Sequence, residues 1–357
     1  MASTATKHFF LAASGMVTPL GANTVMTAAA VNAGVSAYAL ADFYNRHFQP
    51  IKVTTVPPTV FAEQGIDVAN WNGTHPARVA AMASLAVQQV IMGEPPEKSI
   101  PLVLALPEAK YQEVSALGAD LVKYLADTFP GWISTVMSRC VYSGRAAGLE
   151  ALAFAFDYLY DLPTHYMLVG GSDSQLEDVR LAELDKADRL LAPDSGDGFA
   201  PGEAAGFLLL TRAPALAAVV NGHRIVLHSP GIADEPGHLG SDEPYRGEGL
   251  DQAFKKALAG ATVPPIHSIY SSMNGEDYWA REYGVAHIRN RQAFADPVTL
   301  QHPADCYGDI GSATAPVLIA LAAQDLWTSS VARAHLLYSS SDGERRGAII
   351  LEKVPAA

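Results

Sequence analysis

Basic residues and cysteines are scarce in this sequence. The 357-residue chain holds 24 lysines and arginines against 37 aspartates and glutamates, a formal charge of -13. Phosphate binding needs clustered lysine and arginine, so this balance argues against nucleic acid and gives no sign of a basic surface for anionic lipid. The two cysteines, Cys140 and Cys306, are too few for a disulfide framework and fit a reducing compartment.

Long apolar runs are also missing. The longest, "ATAPVLIALAA" at 313–323, is far shorter than the roughly 20 residues that a membrane span needs. The opening "MASTATKHFFLAASGMVTPLG" has one lysine and a short apolar run that ends in a Gly- and Pro-containing turn. This pattern favours a first buried strand over a signal peptide. We therefore expect a cytoplasmic protein without a membrane partner.

Several common motifs of catalysis and ligand binding are absent. The sequence has no GxSxG, no Walker loop and no GxGxxG. His223, His228 and His238 are loosely spaced, without the geometry of HExxH or of paired cysteines. The acidic spacing in "DGFAPGEAAG" lacks the ligand pattern of a calcium loop. The sequence therefore predicts no metal and no cofactor.

Strand-like and helix-like segments alternate along the chain. "SIPLVLALPE", "HYMLVGGSDS" and "EAAGFLLLTR" are continuous apolar runs, which predict strands covered on both faces of a sheet. Helices such as "GRAAGLEALAFAFDYLYD" are apolar nearly all round, as expected for a layer between two sheets. We predict an irregular segment at 39–77. We also predict a strand at "GWISTVMSR", pairing across a two-fold axis.

The order of these elements repeats when the chain is cut near residue 215. Each half contains strands, crossover helices and a closing strand pair, without sequence identity between the halves. No low-complexity linker separates them. We predict an N-terminal half at 1–215 and a C-terminal half at 216–357, packed as one body.

Three stretches resemble the β-ketoacyl synthases of the thiolase superfamily. They are "SGMVTPLG" (14–21), the segment 170–210 with "GGSDS" and "DGFAPGEAAGFLLL", and "YGDIGSATAPVLIALA" (307–322). They keep the family's order and span most of the chain. The resemblance implies an α/β fold with a thiolase-like duplicated five-layer αβαβα core and mixed sheets. It also implies a dimer, either of two copies or with a related subunit.

Condensing enzymes of this family acylate a cysteine at a helix N-terminus, where the helix dipole and nearby donors lower its pKa. Cys140 lies near that position, but "CVYSG" is one residue longer than the family's Cys-Ala-Ser-Gly. If Ser143 and Gly144 mark the family's Ser-Gly, the nucleophile position falls on Val141. One residue rotates a side chain by about 100° on a helix. The alternative is a buried free cysteine.

The resemblance also implies two histidines, or a histidine and an asparagine, and a backbone oxyanion hole. Asn274 stands in "SMNGED" where the first histidine is expected, with Glu276 in the place of a threonine. Counting back from Gly311 puts the second position at Gly308, beside Tyr307, with no histidine there. The family's C-terminal "GFGG" is replaced by "SSSDGERRG".

We therefore expect Asn274 to cap a turn and to hold Glu276 and the following helix in place, because Asn-Gly is a strong turn former and a carboxylate is favoured in a first helical turn. A cleft would persist at the position of the family's active site. We predict that it is lined by Cys140, Ser143, Phe199, Asn274, Glu276, Tyr307 and Gly308.

These substitutions favour a catalytically inactive β-ketoacyl synthase-like accessory or adaptor protein. "NGEDYWAREYG", "DGFAPGEAA" and "GDIGSA" also resemble thiolase-like accessory proteins encoded with type VI secretion effectors, which implies an effector as partner. A first alternative is a chain-length-factor-like partner of an active ketosynthase. A second is an acyl-thioester condensing enzyme or acyltransferase that uses Cys140 with Asn274 and takes its substrate from an acyl carrier protein.

Overall fold

Strands and helices alternate through the N-terminal part of the chain. The computed structural model describes residues 7–62, 75–91, 93–108, 113–193, 195–261 and 263–356. The first elements are β1 (His8–Val17), α1 (Thr24–Asn32), β2 (Ala39–Tyr44), β3 (Pro50–Val53), α2 (Pro58–Ala62), α3 (His75–Val90), β4 (Leu102–Ala105), α4 (Glu113–Thr128), β5 (Arg139–Val141), α5 (Ala147–Phe154), β6 (Tyr166–Ser174), α6 (Asp178–Lys186) and β7 (Glu203–Thr211).

The C-terminal part continues in the same way. Its elements are β8 (His223–His228), β9 (Gly231–Asp234), α7 (Glu248–Ala259), β10 (Ile266–Ser271), α8 (Asp277–Asn290), β11 (Phe294–Gln301), α9 (Ala304–Tyr307), α10 (Thr314–Thr328), β12 (Ala334–Ser340) and β13 (Arg345–Pro355). No helix in the described ranges is long and apolar enough to cross a membrane.

Two sets of five strands have the same order and directions. One runs β5-β4-β6-β7-β1 and the other β11-β10-β12-β13-β8, and they join where β1 pairs antiparallel with β8. In each set the first three strands are parallel to one another and the last two are added antiparallel. The sheets are therefore mixed, as predicted. This repetition fits the predicted halves 1–215 and 216–357, whose boundary stays a prediction.

Two apolar helices lie between the two sets of strands. α10 contacts β7 from one set and β12 from the other, and it also packs against α5. Nearly all of its residues are buried, which explains its apolar character all round. α3 packs on the outer face of the first set, and α7 on that of the second. The predicted α/β fold, with helices and sheets in alternating layers, is confirmed.

Two local predictions were wrong. Residues 131–138 of "GWISTVMSR" form turns around a single bridge between Ile133 and Ile100, and the strand β5 begins only at Arg139. Gly131 has a φ of +82°, and Ser138 donates its backbone N–H to the Ser134 carbonyl, so the chain folds back before the strand begins. The pairing of this segment across a two-fold axis stays a prediction. The segment 39–77 is not irregular up to residue 62, because it forms the β2–β3 hairpin and α2; residues 63–74 lie outside the described residues.

Candidate functional site

Two helix starts meet at the centre of the molecule. A 3₁₀ turn at Gly144–Ala146 leads into α5, and a second one at Gly311–Ala313 leads into α10. Gly144 and Gly311 have φ values of +62° and +56°, a region that favours glycine. The two turns contact each other. Loops that follow β10 and β12 reach the same place, so strand ends and helix N-termini converge there, as at the functional edge of other α/β sheets.

Arg145, in the first turn, is buried and held on several sides. Its Nη1 donates to Asp309 Oδ2 at 2.7 Å, its Nη2 to Asp342 Oδ1 at 2.5 Å, and its Nε to the Ser340 carbonyl at 2.9 Å. The Trp279 ring lies 4.5 Å from the guanidinium carbon. Burial alone would lower the pKa of Arg145, but Asp342 and Asp309 outweigh it and raise that pKa. Arg145 is therefore a fixed cation at the start of α5.

Asn274 connects two acidic side chains. Its Nδ2 donates to Glu276 Oε2 at 3.0 Å and to Asp309 Oδ2 at 2.9 Å, while its Oδ1 accepts the Glu276 backbone N–H at 3.2 Å. Glu276 in turn accepts from Arg189 Nε and Nη2 at 2.6 and 2.7 Å, and from Trp279 Nε1 at 2.9 Å. The amide thus lies in the turn before α8 with both of its polar atoms engaged.

Asp309 is a central residue that sequence reasoning missed. Besides Arg145 and Asn274, it accepts from Gln175 Nε2 at 2.7 Å and from the Gly311 N–H at 3.0 Å, both on Oδ1. Counting back from Gly311 selects Gly308, and the neighbouring Asp309 carries the side chain that joins the network. The available signal was Gly-Asp in "YGDIG", where the family has Gly-His.

Asp342 is a carboxylate that contacts two arginines of the site, Arg145 and Arg189. It accepts from Arg189 Nη1 at 2.7 Å as well as from Arg145, and Arg180 lies 3.6 Å away. Burial would raise the pKa of Asp342, but Arg145 and Arg189 hold it well below its usual value. We call the set Arg145, Asn274, Glu276, Asp309, Arg189 and Asp342 the ion-pair network.

Cys140 lies in β5 and precedes the first turn of α5 by several residues. It lines a cavity of about 590 Å³ with Tyr142 and Ser143, and the lining of that cavity includes no member of the ion-pair network. Burial raises the pKa of the Cys140 thiol, and a hydrogen bond with Tyr142 offsets part of this rise. An activated nucleophile needs a lowered pKa and the field of a helix N-terminus. Neither is found at Cys140.

Ser143 and Phe199 lie on two sides of the network. The Ser143 hydroxyl donates to Glu150 Oε2 at 2.6 Å, in the cavity that Cys140 lines. Phe199 is fully buried, with the Arg189 guanidinium 5.2 Å from its ring centre. Two of the predicted cleft residues, Asn274 and Glu276, therefore belong to the network. Phe199 contacts it, and the Ser143 hydroxyl is directed to Glu150 instead.

Tyr307 and Gly308 support the loop that carries Asp309. Tyr307 is buried, which raises the pKa of its phenol, and its hydroxyl has no hydrogen-bond partner among the described residues. Gly308 has a φ of +74°, and a β-carbon there would come within 2.7 Å of the Ala200 carbonyl. Their role in the described structure is to shape the loop. In the same ranges, no group of three or more histidine, cysteine, aspartate or glutamate side chains could hold a metal ion.

Residues 111–215 match the family model of the beta-ketoacyl synthase N-terminal domain. No curated protein sequence matches the chain. Among solved structures, the ishigamide ketosynthase/chain length factor is similar with a TM-score of 0.74 and 16% identity over 98% of this chain and 99% of the other. The ketosynthase ApeO in complex with its chain length factor ApeC from Xenorhabdus doucetiae is similar with a TM-score of 0.73 and 16% identity. The match covers 99% of this chain and 100% of the other.

A third structure, AntDE:AntF, holds a type II polyketide synthase acyl-carrier protein in complex with its ketosynthase bound to the hexaketide. Its TM-score is 0.73, with 14% identity over 98% of this chain and 99% of the other. At identities this low, the similarity shows a shared fold and nothing more. The predicted resemblance is confirmed for residues 111–215 and for the fold: the chain has the α/β fold of solved ketosynthases and chain length factors.

Proposed function

We propose that this chain is a catalytically inactive ketosynthase-like accessory protein that acts by binding another protein. The observation that carries the proposal is the ion pair, at 2.7 Å, between Asp309 and Arg145, which lies in the 3₁₀ turn that leads into α5. A condensing enzyme needs a nucleophile at such a helix start. A guanidinium has only donors and keeps its proton in proteins, so it offers no nucleophile.

The residues around Arg145 also oppose the reaction. Condensation builds negative charge on oxygen, and positioned donors must stabilise that charge. Asp309 places a carboxylate beside Arg145, and the Asn274 amide already donates to Glu276 and Asp309. The Asn274 amide and both terminal nitrogens of Arg145 thus donate to acidic side chains of the site itself.

An active ketosynthase is the first candidate partner. Two of the similar structures are a ketosynthase/chain length factor and a ketosynthase in complex with its chain length factor. By analogy, this chain would pair with one active ketosynthase in a chain-length-factor-like role. An acyl carrier protein, which is bound to its ketosynthase in a third similar structure, would then serve the active subunit.

A secretion effector is the second candidate partner, in line with the resemblance to accessory proteins of type VI secretion clusters. The recess beside Arg145 has a volume of only about 70 Å³ and is lined by charged side chains, among them Glu108, Asp173 and Arg180. An acyl chain needs a mostly apolar lining. This recess therefore favours a protein that uses its outer surface over one that guides an acyl chain.

Co-expression tests the two partner classes separately. The chain would be produced with the ketosynthase, and in a second strain with the secretion effector, encoded nearest to its own gene. Size-exclusion chromatography with light scattering gives the mass of any complex. We expect a stable complex with one of them, formed equally well by the Cys140→Ala variant, because binding uses no chemistry at that thiol. A chain that binds neither protein would contradict the proposal.

A further inference from the structure

A basic recess lies at the end of α10 opposite to the ion-pair network. Its volume is about 330 Å³, and its lining includes His223 at the start of β8, Arg333 just before β12, Lys353 near the end of β13, and Trp327 in the last turn of α10. No acidic residue is among the described residues that line it. The recess is therefore a positively charged site on a chain with a formal charge of -13.

Lys353 is the most deeply placed cation of the recess. Only 9% of it is exposed, and its Nζ donates to the Ser329 carbonyl at 2.5 Å. It forms no ion pair with a described acidic residue, and an ammonium has three donors to satisfy. An unpaired charge in a buried place destabilises the folded state. An anion from outside the chain would offset that cost.

Arg333 and His223 flank Lys353. The Arg333 carbonyl accepts the Lys353 backbone N–H at 2.8 Å, while its exposed guanidinium has no ion pair within the described ranges. His223 Nδ1 lies 2.8 Å from the Asn221 carbonyl, so Nδ1 carries the hydrogen and Nε2 is left for another contact. Three nitrogen-bearing side chains thus surround one space.

The acidic side chains on the neighbouring elements are engaged elsewhere. Asp325, the acidic residue of α10, lies 2.7 Å from His335 Nε2. Glu352, the acidic residue of β13, lies 3.0 Å from His228 Nε2. Neither carboxylate lines the recess, so neither compensates the charge of Lys353 or Arg333.

We propose that this recess binds an organic phosphate monoester. Such a group carries a charge of about -1.5 to -2 near neutral pH, which the two cations Lys353 and Arg333 match. The arginine fork suits phosphate oxygens, which it can bind through two parallel hydrogen bonds. Trp327 and Pro355 give the recess an apolar wall for the organic part of the ligand. The site is separate from the ion-pair network and does not depend on the function proposed above.

Isothermal titration calorimetry of the full chain with adenosine monophosphate as the probe tests this proposal. Adenosine and succinate serve as ligands without phosphate. We expect saturable binding of one adenosine monophosphate per chain, no binding of adenosine or succinate, and an affinity at least about tenfold lower in Arg333→Gln and in Lys353→Met. Arg281→Gln, at an exposed arginine of α8 that pairs with Asp277, is the matched control and should bind as the wild type does.

Arg333 is exposed, so Arg333→Gln should fold normally, and its melting temperature checks this directly. Two results would overturn the proposal. One is the absence of saturable binding of adenosine monophosphate up to about 10 mM. The other is an affinity that Arg333→Gln and Lys353→Met both leave unchanged, or that succinate matches.

Discussion

A buried arginine, Arg145, lies in the turn before α5, a few residues after the position where the resemblance implies a reactive cysteine, and its partners come from distant parts of the sequence. Arg145 is 164 residues from Asp309 and 197 from Asp342. Asn274 and Glu276 could be predicted, because a strand, an Asn-Gly turn and a helix follow one another locally. Arg145 and Asp309 could not, since only the folded chain shows that their charges meet. Their ion pair forms only in the tertiary structure.

Asp309→Ala should destabilise the protein strongly. It would leave the buried guanidinium of Arg145 without one of its two carboxylates, and breaking a buried pair in this way costs about 3–5 kcal/mol. Urea denaturation measures the change in the free energy of unfolding. Asp161→Ala is the control, because its pair with Lys7 is exposed and should be worth about 0.5 kcal/mol. Equal losses in the two variants would contradict the importance of the network.

Asp342 should make stability depend on acid pH. Its folded pKa is lowered, so its contribution is fully present above its unfolded pKa, about 3.9, and is lost as the pH falls below that value toward the folded pKa. Wild type should therefore exceed Asp342→Asn in stability at pH 7, and the gap should narrow below about pH 4. Urea denaturation over a pH series measures the gap. A gap that stays constant would show that the Asp342 charge is not involved.

The Cys140 thiol should be slow to react. Burial raises its pKa, which lowers the thiolate fraction near neutral pH. In a Cys306→Ala background, alkylation by iodoacetamide near neutral pH should be at least about tenfold slower than that of free cysteine, and should speed up at higher pH. Mass spectrometry follows the modification. A rate equal to that of free cysteine or faster would mean that the thiol is activated.

At the scale of elements, apolar character decided which predictions succeeded. The continuous apolar runs of β4, β6 and β7 were predicted as strands and are fully buried or nearly so. β11 escaped prediction because it is a polar edge strand that contains a proline. The opposite error occurred at "GWISTVMSR", which was predicted as a strand because the pattern of apolar residues in its turns is typical of one. Edge position and turn geometry depend on neighbours that the local sequence does not contain.

The central helices should tolerate no added bulk where they touch. A β-carbon on Gly148 of α5 would come within 2.6 Å of Pro316 Cδ in α10, so Gly148→Ala should lower the free energy of unfolding by about 1–3 kcal/mol. The same change at Gly284 in α8 meets nothing within 4 Å and should raise it by about 0.5–1 kcal/mol. Urea denaturation compares the two variants. Shifts of the same sign would refute the close packing of α5 and α10.

At the scale of the whole molecule, the fold was predictable and the partner was not. Glycine-rich turns and apolar strands carried the resemblance, because the packing of two sheets around α5 and α10 constrains them over most of the chain. A binding surface is subject to no such constraint within the chain itself. The choice between the two proposed partners, a ketosynthase and a secretion effector, therefore depends on a second molecule that this sequence does not describe.

The central claim is that the ketosynthase-like site performs no acyl transfer. The most direct test incubates the purified chain with acetyl-, malonyl- and longer acyl-thioesters, on coenzyme A and on carrier protein, and then measures the intact mass, with Cys140→Ala as the control. We predict an unmodified mass with every donor. A stable acyl adduct on the wild type that is lost in Cys140→Ala would contradict this account and show an enzyme that uses Cys140.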